Sequence, residues 1–271
     1  ADQLGIDPRS VIVRYGDTDE TPPGWGTYAS RSLGIAGSAV KLASAEVAER
    51  IRSAGAHLLE VAPEDTEIAD GQVRVKGSPG SAIAVTEVAR IVHQQSQRIP
   101  PGDRHLEATA TYDPPGTFSN ATHIAEVEVD ASTGAVRVLQ YVAVEDCGVV
   151  INPLIVEGQV QGGVAQGIAA ALFEEFRYDT DGQPLTTSLM DYLLPTAAEI
   201  PHVEIHHLET PSEHTATGAK GMGEGGFIGA PAAIVNAVSD ALAHLGVEFD
   251  RIPITPSAVV AAIARAEANR A

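Results

Sequence analysis

Cysteine, aromatic residues and positive charge are all scarce in this sequence. Of its 271 residues one is cysteine (Cys147), one is tryptophan, and aromatic residues make up 4%. A single cysteine excludes an intrachain disulfide framework, and it excludes an iron–sulfur cluster or a cysteine-rich zinc site built by this chain alone. No apolar run approaches the roughly 18–20 residues that a transmembrane helix needs, so we expect no membrane span.

Acidic residues greatly outnumber basic residues. The chain has 36 Asp and Glu against 17 Lys and Arg, which gives a formal net charge of −19. Because such a surface is repelled by nucleic-acid backbones and by anionic lipids, the composition argues against binding to either as the main function. The sequence begins with Ala1 rather than Met, which predicts a processed chain or a piece of a longer protein.

The hydrophobic pattern predicts helices and strands that do not alternate strictly, which is typical of the α+β class. Helices are predicted over about 40–58, 85–97, 158–173, 234–245 and 256–268, and short strands over about 11–15, 72–75, 174–178 and 202–208. We expect mixed sheets with packed helices, in one domain over residues 1–271 that can be divided into two lobes of about 1–115 and 116–271.

The clearest strand signal lies in the middle of the chain. Val127 and Val129 alternate with acidic residues, and residues 132–134 form a turn. The residues that follow form two alternating sets, namely Val136, Val138, Gln140, Val142 and Val144 against Arg137, Leu139, Tyr141 and Ala143. This alternation predicts a long hairpin with one buried face.

Two glycine-rich segments are candidate ligand contacts. The first consists of Gly26, Thr27, Tyr28, Ala29, Ser30, Arg31 and Ser32 and leads into a predicted helix. Free N–H groups at a helix start suit an anion, and an ordinary helix cap is the competing interpretation. The second, residues 158–167, has glycine and glutamine without the spacing of a dinucleotide fingerprint. It is interpreted either as a ligand contact or as a tightly packed helix.

A third segment, residues 220–226, places Glu224 among four glycines after Lys220. If this loop is buried, desolvation makes the carboxylate a usable general base near neutral pH, whereas a solvated loop acid is the competing interpretation. The other candidates are weaker. His206 and His207 are adjacent on a predicted strand and point to opposite faces, so they cannot ligate one metal, and Cys147 is interpreted as a packed residue.

Taken together and in order, several motifs closely resemble the molybdenum hydroxylases, the family of xanthine dehydrogenase, aldehyde oxidase and aerobic carbon monoxide dehydrogenase. These motifs are Gly16-Asp17-Thr18-Asp19, the segment from Gly26 to Ser32, Asp146 with Asn152-Pro153, Gly158-Gln159-Val160-Gln161-Gly162 and Gly221-Met222-Gly223-Glu224. The resemblance runs over nearly the whole chain. It corresponds to the second molybdopterin-binding domain of the family's large subunit, and the family's first molybdopterin domain is outside this sequence.

The resemblance implies that Glu224 is the general base in the hydroxylation of an electron-poor carbon, in an N-heterocycle or an aldehyde, with oxygen derived from water. It implies that the molybdopterin is contacted by Thr27, Tyr28, Ala29, Ser30, Arg31, Ser32, Gly158, Gln159, Lys220, Gly221, Met222 and Gly223. Molybdenum is then held through the pterin dithiolene, so no residue of this chain is expected to ligate a metal.

The resemblance also implies partners. We expect the cytosine dinucleotide form of the cofactor, FAD and [2Fe–2S] clusters on partner subunits, and a companion chain with the first molybdopterin domain. We expect a cytoplasmic complex that acts on a small-molecule substrate, and a chain that is inactive alone. The alternatives are a carbon monoxide dehydrogenase-like or reductive family member, a non-catalytic cofactor-binding or assembly protein, and a generic acidic binding domain.

Overall fold

The structure, a computed structural model, describes residues 1–22 and 24–270. The chain folds into two compact units. The first comprises Ala1–Thr27, Ser32–Pro115 and Thr215–Thr217, and the second comprises Tyr28–Arg31, Gly116–His214 and Gly218–Ala271. In the part of the chain that the structure describes, no helix is long and apolar enough to cross a membrane.

The first unit packs two helices on a three-stranded antiparallel sheet. Its elements are helix α1 (Ser38–Leu58), strands β1 (Thr66–Ala69), β2 (Gln72–Val75) and β3 (Ser78–Ala84), and helix α2 (Val85–Gln94). A π-helical turn over Leu33–Gly37 precedes α1. The predicted apolar stripe of α1 is buried at Ile51 and Ala54, whereas Val40 is exposed. The strand predicted over 11–15 is wrong, because those residues are irregular and Tyr15 is exposed.

The second unit packs helices on a mixed three-stranded sheet. Its elements are strands β4 (Asn120–Val129) and β5 (Val136–Asp146), helix α3 (Pro153–Leu172), strand β6 (Val203–Leu208), and helices α4 (Gly225–Ile228), α5 (Ala230–Ala241) and α6 (Pro256–Ala268). Strands β4 and β5 are antiparallel, and β5 and β6 are parallel. The α+β class with mixed sheets is therefore confirmed. The strand predicted over 174–178 is wrong, because only an isolated bridge joins Tyr178 to Pro184.

A bulge in β5 changes which residues of that strand face the core. Glu126 pairs with Gln140 and Val127 pairs with Val138, so Leu139 is an extra residue. An extra residue reverses the alternation of side chains beyond it. The inward residues are therefore Val138 before the bulge and Tyr141, Ala143 and Glu145 after it. The predicted hairpin is confirmed, but the even-numbered alternation continued through Val144 is wrong.

Candidate active site

A tight turn with strained backbone occupies the first candidate segment. Arg31 N–H donates to the Tyr28 carbonyl at 3.2 Å, and the residues between them, Ala29 and Ser30, have φ values of 51° and 54°. Positive φ at both central residues is the signature of a type I′ turn, which favours glycine or asparagine. Holding other residues in this region costs about 1–3 kcal/mol each, and such strain clusters at functional sites.

The residues that flank this turn belong to the first unit. The Ser32 hydroxyl donates to the Thr27 hydroxyl at 3.1 Å. Ser32 stands at the N-cap of the π-helical turn, where its side chain makes no capping hydrogen bond. The interpretation of this segment as an ordinary helix cap is therefore wrong. In the turn itself, Arg31 Nη1 donates to the Tyr28 hydroxyl at 2.7 Å.

The Ser30 hydroxyl holds Glu224 at two points. It accepts a hydrogen bond from Glu224 N–H at 2.9 Å, and it lies 3.4 Å from Glu224 Oε2, to which it donates. Residues 194 positions apart in sequence are thereby joined within the second unit. Glu224 itself is exposed, so the condition of a buried loop, under which desolvation makes it a usable base, is not met within this chain alone.

The three candidate segments meet at the glycines before Glu224. A Cβ atom placed on Gly221 would lie 2.5 Å from the Ser30 carbonyl oxygen, so this position requires glycine. A Cβ atom on Gly223 would lie 3.5 Å from Ser30 Oγ and 3.8 Å from Gln159 Oε1. Ser30, Gln159 and Glu224 therefore come together on one surface of the second unit.

Helix α3 uses its glycines in two ways. On one face, a Cβ atom on Gly163 would lie 2.6 Å from Phe227 N, so α3 and α4 are in backbone contact there. On the other face, Gly158 and Gly162 are exposed and have no atom within 4 Å of where a Cβ would lie. The packed-helix interpretation thus applies to the face that carries Gly163, whereas the face that carries Gly158 and Gly162 is open to a ligand.

Lys220 has a charged partner inside the chain. Its ammonium lies 3.2 Å from Asp146 Oδ1, and each side chain is 10% exposed. Burial alone would raise the pKa of Asp146, but hydrogen bonds from Thr210, Gly148 and Lys220 outweigh burial and hold the pKa well below its usual range. The buried ion pair with Asp146 holds the Lys220 side chain in place, so Lys220 anchors the loop that carries Glu224.

Sequence reasoning missed two buried residues beneath the loop. Glu145 is fully buried, and His123 Nε2 lies 3.5 Å from its Oε1. The feature of the sequence that could have revealed this site was an acidic residue at a position of β5 that faces the core. The bulge at Leu139 hid that orientation, because it changes which residues of β5 face inward. Within the described residues, no group of three histidine, cysteine or acidic side chains could hold a metal ion.

Comparison with known proteins places this chain in a family. The molybdopterin cofactor-binding domain family matches residues 1–201. The chain belongs to this family. It is 44% identical over 264 residues to the nicotine 6-hydroxylase large subunit of Paenarthrobacter nicotinovorans, and 39% identical over 257 residues to the carbon monoxide dehydrogenase large chain of Hydrogenophaga pseudoflava. These alignments cover 97% and 94% of this chain, respectively.

A solved structure has the same fold. The crystal structure of quinoline 2-oxidoreductase from Pseudomonas putida 86 matches with a TM-score of 0.91 and 48% identity, over 97% of this chain and 34% of that chain. The resemblance to the molybdenum hydroxylases is confirmed. The chain spans about a third of the length of the curated relatives it matches, since each alignment covers 32% of the relative.

The residues on this surface fit a molybdopterin. Gly158 and Gly162 leave open backbone beside Gln159 and Gln161, and a glutamine amide offers a donor and an acceptor to a heterocycle. Open backbone lets a ligand approach closely.

Proposed function

We propose that this chain is the base-bearing part of the molybdenum-binding subunit of a molybdenum hydroxylase, with Glu224 as the general base. The observation that carries the proposal is the meeting of Ser30, Gln159 and Glu224 at Gly223 in a chain of the molybdopterin cofactor-binding domain family. Its similarity to nicotine 6-hydroxylase and quinoline 2-oxidoreductase supports an N-heterocycle as the substrate, ahead of an aldehyde or carbon monoxide.

The proposed cofactor contacts follow the three segments. Residues 27–32, Gly158, Gln159 and residues 221–223 would hold the pterin, and Lys220 would support the loop through Asp146. When bound, the molybdenum cofactor supplies the redox chemistry of the reaction. The turn at Ala29 and Ser30 keeps the Ser30 hydroxyl aimed at the glutamate.

The chain's own part in the reaction is a proton transfer. Because the Ser30 hydroxyl donates to Oε2 of Glu224, Oε1 is the oxygen that would accept the proton of the attacking water. A general base must lie within hydrogen-bond reach of the proton that it removes. The exposure of Glu224 in this chain leaves that approach open, and a companion chain would close the site and exclude water.

The proposal includes partners that this chain lacks. Since its relatives are named as large subunits or chains and are about three times as long, we propose a companion chain or segment with the first molybdopterin domain. We also propose FAD and [2Fe–2S] subunits, the cytosine dinucleotide form of the cofactor, and a cytoplasmic complex.

The Glu224→Gln variant tests the catalytic role. In the purified complex we expect the hydroxylation of an N-heterocycle to slow by at least about 100-fold, the lower end of what general base catalysis contributes. Molybdenum and pterin content should stay unchanged, because the amide can keep the hydrogen bonds to Ser30. The control is Glu213→Gln, at an exposed glutamate of the same unit. Normal turnover in Glu224→Gln would rule out Glu224 as the base.

A further inference from the structure

A chain of three buried titratable side chains lies beneath the loop that carries Glu224. The side chain of Glu145 is 0% exposed and that of His123 is 4% exposed. His123 Nδ1 lies 2.9 Å from the Tyr141 hydroxyl, with which it forms a hydrogen bond. His123 lies opposite Ala143 in the β4–β5 register, so all three residues share the inward face of the sheet.

The atoms through which His123 and Glu145 face each other make no hydrogen bond within the described part of the chain. Among the described residues, His123 Nε2 and both oxygens of Glu145 are buried and have no hydrogen-bond partner. Leaving a buried polar group unpaired is costly, and a buried unpaired charge costs more. His123 Nε2 and Glu145 Oε1 are 3.5 Å apart, so a movement of a few tenths of an ångström would bring them within hydrogen-bond distance.

The two side chains lie under the two ends of α4, the helix that begins directly after Glu224. A Cβ atom placed on Gly225 would lie 3.4 Å from Glu145 Oε2, and one placed on Gly229 would lie 2.5 Å from His123 Cδ2. Between these glycines, Phe227 N–H and Ile228 N–H donate to the Glu224 carbonyl oxygen at 3.1 and 3.2 Å. A displacement of either buried side chain would therefore be passed to the backbone of Glu224.

We propose that Glu145 and His123 are positioning residues. They share one proton in a buried hydrogen bond and support α4 from below, and α4 in turn fixes the position of Glu224. The role of Glu224 in this inference rests on the proposed function. The contact between the pair and α4 does not.

The pair is neutral when Glu145 is protonated. Burial raises the pKa of Glu145 to about 7 and lowers the pKa of His123, so both shifts favour a carboxylic acid beside a neutral imidazole. Above pH 7 the buried carboxylate becomes charged directly below Gly225. We therefore expect the support of α4 to weaken as the pH rises through neutrality.

The groups around the pair are mostly apolar. Helices α3, α4 and α5 and the loop before α4 present valines, isoleucine, glycines and Met222 to the same core. The titratable neighbours on the sheet are Tyr141, Cys147 and His207, which lies opposite Glu145 in the β5–β6 register. Burial and the nearby Glu145 raise the pKa of Tyr141. Burial, together with nearby carboxylates that include Glu145, raises the pKa of Cys147.

Hydrogen exchange of the peptide that contains α4 tests the proposal directly. The complex would be exchanged from about pH 6 to about pH 8, with rates corrected for the intrinsic effect of pH. We expect protection of the Phe227 and Ile228 amides to fall across this range in the native protein. Glu145→Gln keeps a hydrogen-bonding side chain that does not titrate, and it should remove this fall. Glu145→Leu leaves His123 unpaired and should lower protection by about tenfold at every pH.

The control is Glu126→Gln, on the exposed face of the neighbouring strand, which should behave like the native protein. Identical pH profiles for the native protein and Glu145→Gln would overturn the proposal, as would native protection in Glu145→Leu. This exchange measurement does not depend on turnover. If Glu224→Gln were fully active while α4 responded as expected, the proposed function would fail and the positioning pair would stand.

Discussion

Glu145 and Asp146 are neighbours in sequence, yet their carboxylates lie in opposite surroundings. Asp146 Oδ1 accepts hydrogen bonds from Gly148 N–H at 2.9 Å and Thr210 N–H at 3.1 Å, and it pairs with Lys220. Glu145 is fully buried, and in the described part of the chain neither of its oxygens has a hydrogen-bond partner. The two side chains leave β5 on opposite faces, and each supports a different part of the same segment.

The difference shows two ways of holding one loop. The segment before Glu224 is tied down by a charged pair, and Lys220 N–H also donates to the Cys147 carbonyl oxygen at 2.7 Å. The segment after Glu224 lies on a pair that is neutral only while Glu145 keeps its proton. A firm anchor on one side and a titratable support on the other would let pH adjust the position of Glu224 without releasing the loop.

Breaking the charged anchor should give the largest loss of stability. Lys220→Met removes the ammonium but leaves Asp146 its hydrogen bonds from Gly148 and Thr210, and we expect a loss of about 2–3 kcal/mol in the free energy of unfolding, the scale of a hydrogen bond to a charged group. Denaturant unfolding of the purified protein measures this. The matched control is Arg137→Met, because Arg137 pairs with Glu128 through side chains that are 70% and 59% exposed. A comparable loss in the control would show that the buried Lys220–Asp146 pair contributes no more to stability than an exposed ion pair.

The pH dependence of stability should have opposite signs for the two carboxylates. The pKa of Asp146 is lowered from 3.8, so its contribution is present above that value and is lost as the pH falls through the lower folded pKa. The pKa of Glu145 is raised from 4.5 to about 7. Between these two pH values Glu145 is ionised in the unfolded chain and protonated in the folded chain, so stability is lost as the pH rises.

The Glu145→Gln variant isolates that second contribution. We expect the difference in unfolding free energy between native protein and variant to change by about 1–3 kcal/mol from pH 4.5 to pH 7, the scale of a buried polar group. His123, whose pKa is lowered, contributes with the opposite sign and is present in both proteins. A difference that is constant with pH would contradict the assignment of Glu145 as a protonated buried acid.

Substitutions of Ser30 should give the smallest effect. Ser30→Ala removes the hydroxyl that holds Glu224 and keeps the positive φ of 54°, so we expect a loss of about 1 kcal/mol. Ser30→Gly removes the same hydroxyl but relieves the backbone, and it should be closer to neutral. Thermal unfolding compares the two variants. A larger loss in Ser30→Gly than in Ser30→Ala would show that the turn is not strained.

Much of the fold was accessible from the sequence, because local signals dominate there. The last helix is confirmed over 256–268, and the strand predicted over 202–208 is β6, Val203–Leu208. The strand predicted over 11–15 is wrong, because those residues are irregular and belong to neither sheet in the described part of the chain. The prediction of which residues of β5 face the core failed because one extra residue, Leu139, reverses the orientation of every side chain beyond it.

Part of the candidate site was likewise predictable from the sequence, and part was not. Motif order indicated the glycine-rich segments and Glu224, and the glycines at positions 163, 221 and 226 mark close backbone approaches that leave a trace in the sequence. The Ser30–Glu224 contact joins residues 194 positions apart, and no local pattern predicts such a pairing. His123 and Glu145 were missed because their importance comes from burial, which only the bulge and the packing of α4 create.

Purification of this chain with its native partners, followed by metal and flavin analysis of the same peak, tests directly whether it is part of a molybdenum hydroxylase. We expect molybdenum, iron and flavin to co-elute with this chain at constant ratios, together with a polypeptide that carries the first molybdopterin domain. A chain that elutes alone and free of molybdenum would contradict its assignment as part of a working molybdenum hydroxylase.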